Sequence, residues 1–187
     1  MGRSQKHKSH RSSQNSFRIK RIKIDVENHQ TDLPIKKALV RNIVQELCSI
    51  LSLTCEKISI YFVAKRTMGE LHTQFFQDPS PTDCMSFPLN ATHLGEVVIC
   101  PAVALAYAKS KKMDPYREIL LYLVHGILHL VGYDDLTPSD RKAMRKKEKH
   151  CMDHFIERGM ALGPIVSWNS FAANPFSPRL VCADDNE

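Results

Sequence analysis

A chain of 187 residues with 43% hydrophobic side chains and a net charge of +6 is long enough to bury one core and too mixed in composition for a fibrous or fully disordered protein. No apolar run approaches the roughly 20 residues of a membrane span, and the basic start lacks the apolar stretch that would make it a secretory signal. The six cysteines (48, 55, 84, 100, 151 and 182) are scattered without a CxxC pair, so they read as reduced core thiols of a cytoplasmic protein with no membrane association.

The charge is unevenly placed. Eight of the 26 Lys and Arg lie within residues 1–23, which contain no Asp or Glu, leaving 18 basic against 20 acidic side chains elsewhere. Residues 1–16 have almost nothing apolar and are expected to form a disordered basic arm suited to contact nucleic acid. A folded domain is expected over residues 17–162 and a loosely ordered tail over 163–187.

Within that domain, residues 17–26 set Ile19, Ile22, Ile24 and Val26 in a strand pattern with basic residues on the exposed side. Residues 33–51 place Leu39, Val40, Ile43, Val44, Leu47 and Leu51 at helical spacing, with Pro34 suited to the first turn. Residues 57–64 alternate Ile58, Ile60, Phe62 and Ala64 as a half-buried strand. Residues 67–76 read as a short helix with Leu71 and Phe75 on one side. The prolines of 78–88 forbid helix and leave a loop and a short edge strand. Residues 94–100 make another strand, and Pro101 opens a helix reaching about Lys111.

Asp114 and Pro115 supply an N-cap and a first helical position. The helix that follows is apolar almost all round from Ile119 to Val131, which places it at the centre of the fold. Residues 138–158 read as a last helix with Met144, Cys151 and Phe155 inward. Its outward cluster, Arg141, Lys142, Arg145, Lys146, Lys147 and Lys149, reads most simply as a solvated face.

The informative stretch is residues 125–135, HGILHLVGYDD. His125 and His129 stand one helical turn apart on one face. Gly132 is placed to end the helix in a left-handed conformation, and Asp135 follows where the chain can swing back. Two imidazoles and a carboxylate make a three-ligand zinc set with a fourth position open; Asp134 is the alternative carboxylate. Peptidases of the HExxH type carry a catalytic Glu directly after the first His, and here that position is Gly126.

This stretch resembles the signature of the YbeY family of metal-dependent endoribonucleases, HGxLHLxGYDH. Upstream, PTDCMSFP at 81–88 resembles that family's PTDVLSFP, and LGEVVI at 94–99 resembles its LGDIxI strand. The resemblance spans roughly residues 17–160. It implies a single α+β domain, with a small mixed sheet and helices packed around a central metal-binding helix. It further implies one Zn2+ per chain on His125, His129 and Asp135, and single-stranded RNA as substrate. Ribosomal RNA and the small subunit are the implied partners, through maturation of the 3′ end of 16S rRNA and ribosome quality control. Two positions depart from the family pattern. Asp135 stands where the family has His, and Phe76 aligns with an Arg in its YRxxDxPTD context.

Asp83 and Ser86 are candidates to line the substrate cleft, although a turn-capping Asp and a strand-end Ser read equally well. Arg117 lies eight residues before His125, about 12 Å along the same helix face, within reach of a substrate phosphate. No residue beside the motif reads as a general base, and the nucleophile is either water or the ribose 2′-OH. Two rival functions stand beside the ribonuclease. One is a zinc-dependent peptidase-like hydrolase, disfavoured by Gly126; the other is a non-catalytic ribosome-assembly factor with a structural metal.

Overall fold

Four strands and five helices follow one another in the computed structural model, which describes residues 22–163: β1 (Lys23–His29), α1 (Lys37–Ile50), β2 (Lys57–Val63), α2 (Lys65–Phe76), β3 (Cys84–Pro88), β4 (His93–Ile99), α3 (Pro101–Lys111), α4 (Pro115–Leu130) and α5 (Pro138–Glu157). The expected basic arm, the first five residues of the expected first strand and nearly all of the expected tail lie outside the described residues. The sheet runs in the order β1-β2-β4-β3. β1, β2 and β4 are parallel, and β3 pairs antiparallel with β4 as the edge. The described chain is therefore a small α+β domain with a mixed, open sheet.

α4 is the organising helix. Asp114 caps it by accepting the backbone N–H of Tyr116 at 2.9 Å, and Pro115 opens it. Ile119, Leu120, Leu123, Val124, Ile127 and Leu128 are fully buried in the main core. β3 and β4 pass under one side of the helix, and α3 and α5 pack beside it. Gly126 marks the closest approach to the sheet. A Cβ there would lie 2.4 Å from Val97 Cγ1 and 3.1 Å from Ser86 Oγ. The Gly126→Ala variant is therefore expected to lose about 1–3 kcal/mol through overpacking, read as a lower denaturant midpoint at unchanged slope.

Four local expectations are corrected. β1 continues past Val26 to His29, because its register with β2 persists through Glu27↔Tyr61, Asn28↔Phe62 and His29↔Val63; backbone pairing is indifferent to the polar side chains that hid it. α1 begins at Lys37, beyond Pro34. The Gln30 amide takes both backbone groups of Leu33, donating to its carbonyl at 2.8 Å and accepting from its N–H at 3.0 Å. β2 is an interior strand, with Ser59 and Val63 buried on the face opposite Ile58, Ile60 and Phe62. In α2, Met68 is the buried residue, whereas Phe75 is 52% exposed and rests on Phe87 with ring centroids 4.8 Å apart.

One buried acid has consequences for stability. Glu118, in the first turn of α4, is 4% exposed. Burial pushes its carboxyl up to about 7; Arg117 and the Tyr122 hydroxyl pull it down, and the negative charge of Asp83 adds to the rise. Between pH 4.5 and about 7 the folded protein holds a proton that the unfolded chain releases, so this group's contribution to stability falls as pH rises through that window. The wild type is expected to lose up to about 3 kcal/mol relative to Glu118→Gln across the window. Parallel denaturation curves at pH 4.5 and pH 8 check the difference.

Candidate metal centre

The last two turns of α4 and the loop behind them bring three donors together. His125 Nε2 and His129 Nε2 are 2.9 Å apart. Asp135 Oδ2 lies 3.9 Å from the first, and Asp135 Oδ1 lies 4.0 Å from the second. Among the described residues, these three form the group of His, Cys, Asp and Glu side chains able to hold one metal ion. A tetrahedral ion with bonds of 2.0–2.1 Å needs ligand separations of about 3.3 Å; the two imidazole nitrogens stand closer than that, and with one atom from each residue the three ligand atoms all lie within 4.8 Å of one another.

The local backbone makes this geometry. After α4, Gly132 takes φ +92°, a conformation that favours glycine. Gly132 N–H donates to His129 O and Tyr133 N–H to Leu128 O, both at 3.0 Å, closing the helix end. The turn brings the Tyr133 carbonyl within 3.0 Å of His129 Nδ1. Asp134 Oδ1 accepts the Asp135 N–H at 2.7 Å, so Asp134 shapes the loop while Asp135 meets the histidines. Arg141 Nη1, on α5, donates to the carbonyls of Asp135 and Leu136 at 3.0 Å each and ties the loop down.

Sequence reasoning missed Glu148. This α5 carboxylate is 3% exposed and accepts from His125 Nδ1 at 2.7 Å. The signal was present as a lone acid among the inward residues Met144, Cys151 and Phe155 of a basic helix. Because a carboxylate and a carbonyl can only accept, both Nδ1 atoms carry hydrogen, and both Nε2 atoms of neutral rings present lone pairs. Two lone pairs facing each other at 2.9 Å require a shared proton or a cation between them. The donor chemistry therefore fits a metal ion, and the carboxylate–histidine arrangement is the one that orients metal-ligating imidazoles.

Electrostatics separate the two rings. Burial alone would lower the pKa of His125, but the hydrogen bond and charge of Glu148, with Asp83 and Asp135 beyond, outweigh it and raise the group above its ordinary value. His129 is held below its ordinary value, first by burial and then by the neighbouring His125.

The histidines form the floor of a cleft of about 750 Å³ whose opposite wall is the end of α2 and the loop leading into β3. Asp83 and Ser86 both line it. Asp83 Oδ1 accepts from Cys84 N–H at 2.8 Å and Thr82 Oγ1 at 3.0 Å, so it also caps its turn. The Ser86 hydroxyl donates to the Gly126 carbonyl at 2.9 Å, leaving it only acceptor capacity toward a bound molecule. Phe76, 63% exposed, stands at the cleft, its ring centroid 5.2 Å from that of His72. Arg117 is not brought there. It is 8% exposed beside Asp114 and Glu118, outside the cleft lining, because its face of α4 turns into the protein at the helix start.

Comparison with known proteins agrees with this architecture. The family model described as Endoribonuclease YbeY matches residues 25–156. A relative named Endoribonuclease YbeY from Protochlamydia amoebophila (strain UWE25) is 43% identical over 137 residues, covering 70% of this chain and 91% of that protein. Another of that name, from Chlamydia pneumoniae, is 39% identical over 142 residues, covering 71% and 90%. In fold, the chain is similar to the solution structure of TM1509 from Thermotoga maritima, with a TM-score of 0.54 at 24% identity, covering 81% of this chain and 93% of that one. The histidine pair and glycine turn of α4, the cleft walled by the 81–88 segment, and a family match through nearly the whole described domain lead to one assignment: this chain belongs to the YbeY endoribonuclease family.

Proposed function

We propose that the protein is a metal-dependent endoribonuclease that cuts single-stranded RNA, with one zinc ion on His125, His129 and Asp135. The observation that carries this reading is the pair of Nε2 atoms facing each other at 2.9 Å, each ring having an acceptor at its Nδ1 on the far side. When bound, the ion supplies an electrophile for a phosphoryl oxygen and lowers the pKa of a water. Glu148 and the Tyr133 carbonyl hold the imidazoles in the Nδ1–H tautomer. Asp135 adds a negative oxygen ligand in place of a neutral ring. Asp83 adds negative charge at the cleft wall, favouring cations in the site. A cleft of this size admits a splayed nucleotide rather than a paired helix. The family relationship supports the 3′ end of 16S rRNA as the cellular target, within small-subunit maturation and quality control in the cytoplasm. Among the described residues, no helix is long and apolar enough to cross a membrane.

Packing weighs against the peptidase reading. Position 126 faces Val97 and Ser86 on the sheet, so no catalytic Glu fits there. The deciding experiment incubates the zinc-loaded protein with labelled single-stranded RNA and, separately, with casein, each with and without a chelator. Chelator-sensitive cutting of RNA alone is expected. RNA left intact by the zinc-loaded protein would reject the assignment in favour of a structural metal in an assembly factor.

Asp135→His tests the substituted ligand. Zinc is expected to bind at least as tightly, with cleavage kept or raised, because a neutral imidazole leaves the ion more electrophilic than a carboxylate does. Loss of zinc by elemental analysis would mean that the loop pinned by Arg141 accepts only the shorter side chain.

A further inference from the structure

We propose that the outward face of α5 is a phosphate-binding track that starts at the metal centre and grips the RNA strand; this rests on the endoribonuclease reading above. Among the described residues, the lining of the cleft offers a polyanion no Lys or Arg and includes Asp78, Asp83 and Asp134. The cations stand on the other side of the histidines. Arg141 and Arg145 line a small cavity together with His125, Asp135, Met144 and Glu148, so His125 borders both openings.

From there the charge continues along the helix. At 100° per residue, Arg141, Lys142, Arg145, Lys146 and Lys149 fall within an arc of about 140° and span about 12 Å of axis. Arg141, Lys142, Arg145 and Lys146 are exposed. Between 141 and 152 the one acid is Glu148, which is turned inward onto His125. The stripe ends where Lys149 meets Asp153 at 2.7 Å.

An ordinary solvated helix face interleaves its charges, as Arg66 and Glu70 do in α2. Here the four-residue neighbours are 141 with 145, 142 with 146, and 145 with 149, all like-charged. Such pairs weaken an isolated helix. A run of them, free of acids and beginning at the candidate site of phosphodiester cleavage, matches a chain of phosphates.

The test uses the full chain loaded with zinc and compares wild type with the triple variant Lys142→Gln, Arg145→Gln, Lys146→Gln. Arg141 is kept because it holds the Asp135 loop. Binding of a labelled single-stranded RNA is measured against salt. Three phosphate contacts at about 0.7 each predict a slope of log affinity against log salt shallower by roughly 2 in the variant, with affinity at low salt down at least ~10-fold. Zinc content is expected to stay the same and the melting temperature to hold or rise, since like-charge repulsion is relieved. Lys142→Arg with Lys146→Arg is expected to keep the wild-type slope. An unchanged slope and affinity in the triple variant, with wild type still cutting RNA, overturns the track alone. Unchanged RNA binding with lost binding to poly-glutamate reassigns the face to an acidic protein and also overturns it. A wild type that neither binds nor cuts RNA overturns the endoribonuclease reading and the track together.

Discussion

His129→Ala is expected to abolish stoichiometric zinc binding and to cut RNA cleavage by about three orders of magnitude, since several kcal/mol of transition-state stabilisation depend on the ion. His129 is the better of the two histidines to change. Its side chain is 28% exposed and, among the described residues, its Nδ1 meets the Tyr133 carbonyl, so the fold is expected to tolerate the truncation. His125→Ala removes the same metal but also strands Glu148, a carboxylate with 4% of its side chain exposed; that variant is expected to lose a further 3–5 kcal/mol of stability, on the order seen when one member of a buried pair is removed. Melting curves separate the effects. Zinc is expected to raise the melting temperature of wild type through preferential binding to the folded state and to leave His129→Ala where it was. A His129→Ala protein that still carried one tight equivalent of zinc would place the metal elsewhere.

The second large effect belongs to Glu148. It is outside the candidate ligand set and outside the cleft lining, and acts through His125 as a positioning residue. Glu148→Ala removes the acceptor that fixes the tautomer and orientation of that ring. Metal affinity is expected to fall 10- to 100-fold, in the range typical of partners behind metal-ligating histidines. Leaving His125 Nδ1 buried without an acceptor is expected to cost about 1–3 kcal/mol of folding stability as well. Glu148→Gln discriminates between the roles. Its amide oxygen still accepts from Nδ1, so the ring stays in place while the charge is lost. Competition titration with a zinc indicator is expected to rank wild type above Glu148→Gln and both above Glu148→Ala. Equal affinities for all three would reduce Glu148 to a packing contact.

Much of this was legible because it is local. The i, i+4 histidines, the glycine with positive φ and the aspartate after it obey rules that act within a dozen residues, and the α4 start from Asp114 and Pro115 does too. The cleft segment announced itself through prolines that permit only loop and edge strand. Boundaries were less legible where side-chain chemistry and backbone pairing disagree. The polar end of β1 looks like loop and is held by β2. Pro34 looks like a helix start, but the Gln30 amide donates to the Leu33 carbonyl that a longer helix would use.

By itself, the sequence determined the central helix, the spacing that brings His125, His129 and Asp135 together as candidate ligands, the turn that folds Asp135 back, and the family that these motifs imply. Only the tertiary structure decided what surrounds them. It set Glu148 against His125 across 23 residues of chain, turned Gly126 onto Val97, buried Arg117 away from the cleft, and placed Arg141 and Arg145 beside the candidate site. The placements of Glu148, Gly126, Arg141 and Arg145 depend on how α5 and the β3–β4 edge close over α4. Periodicity says which face of a helix is apolar, but not which partner covers it or in what register, because that choice is made by shape and charge between segments far apart in the chain.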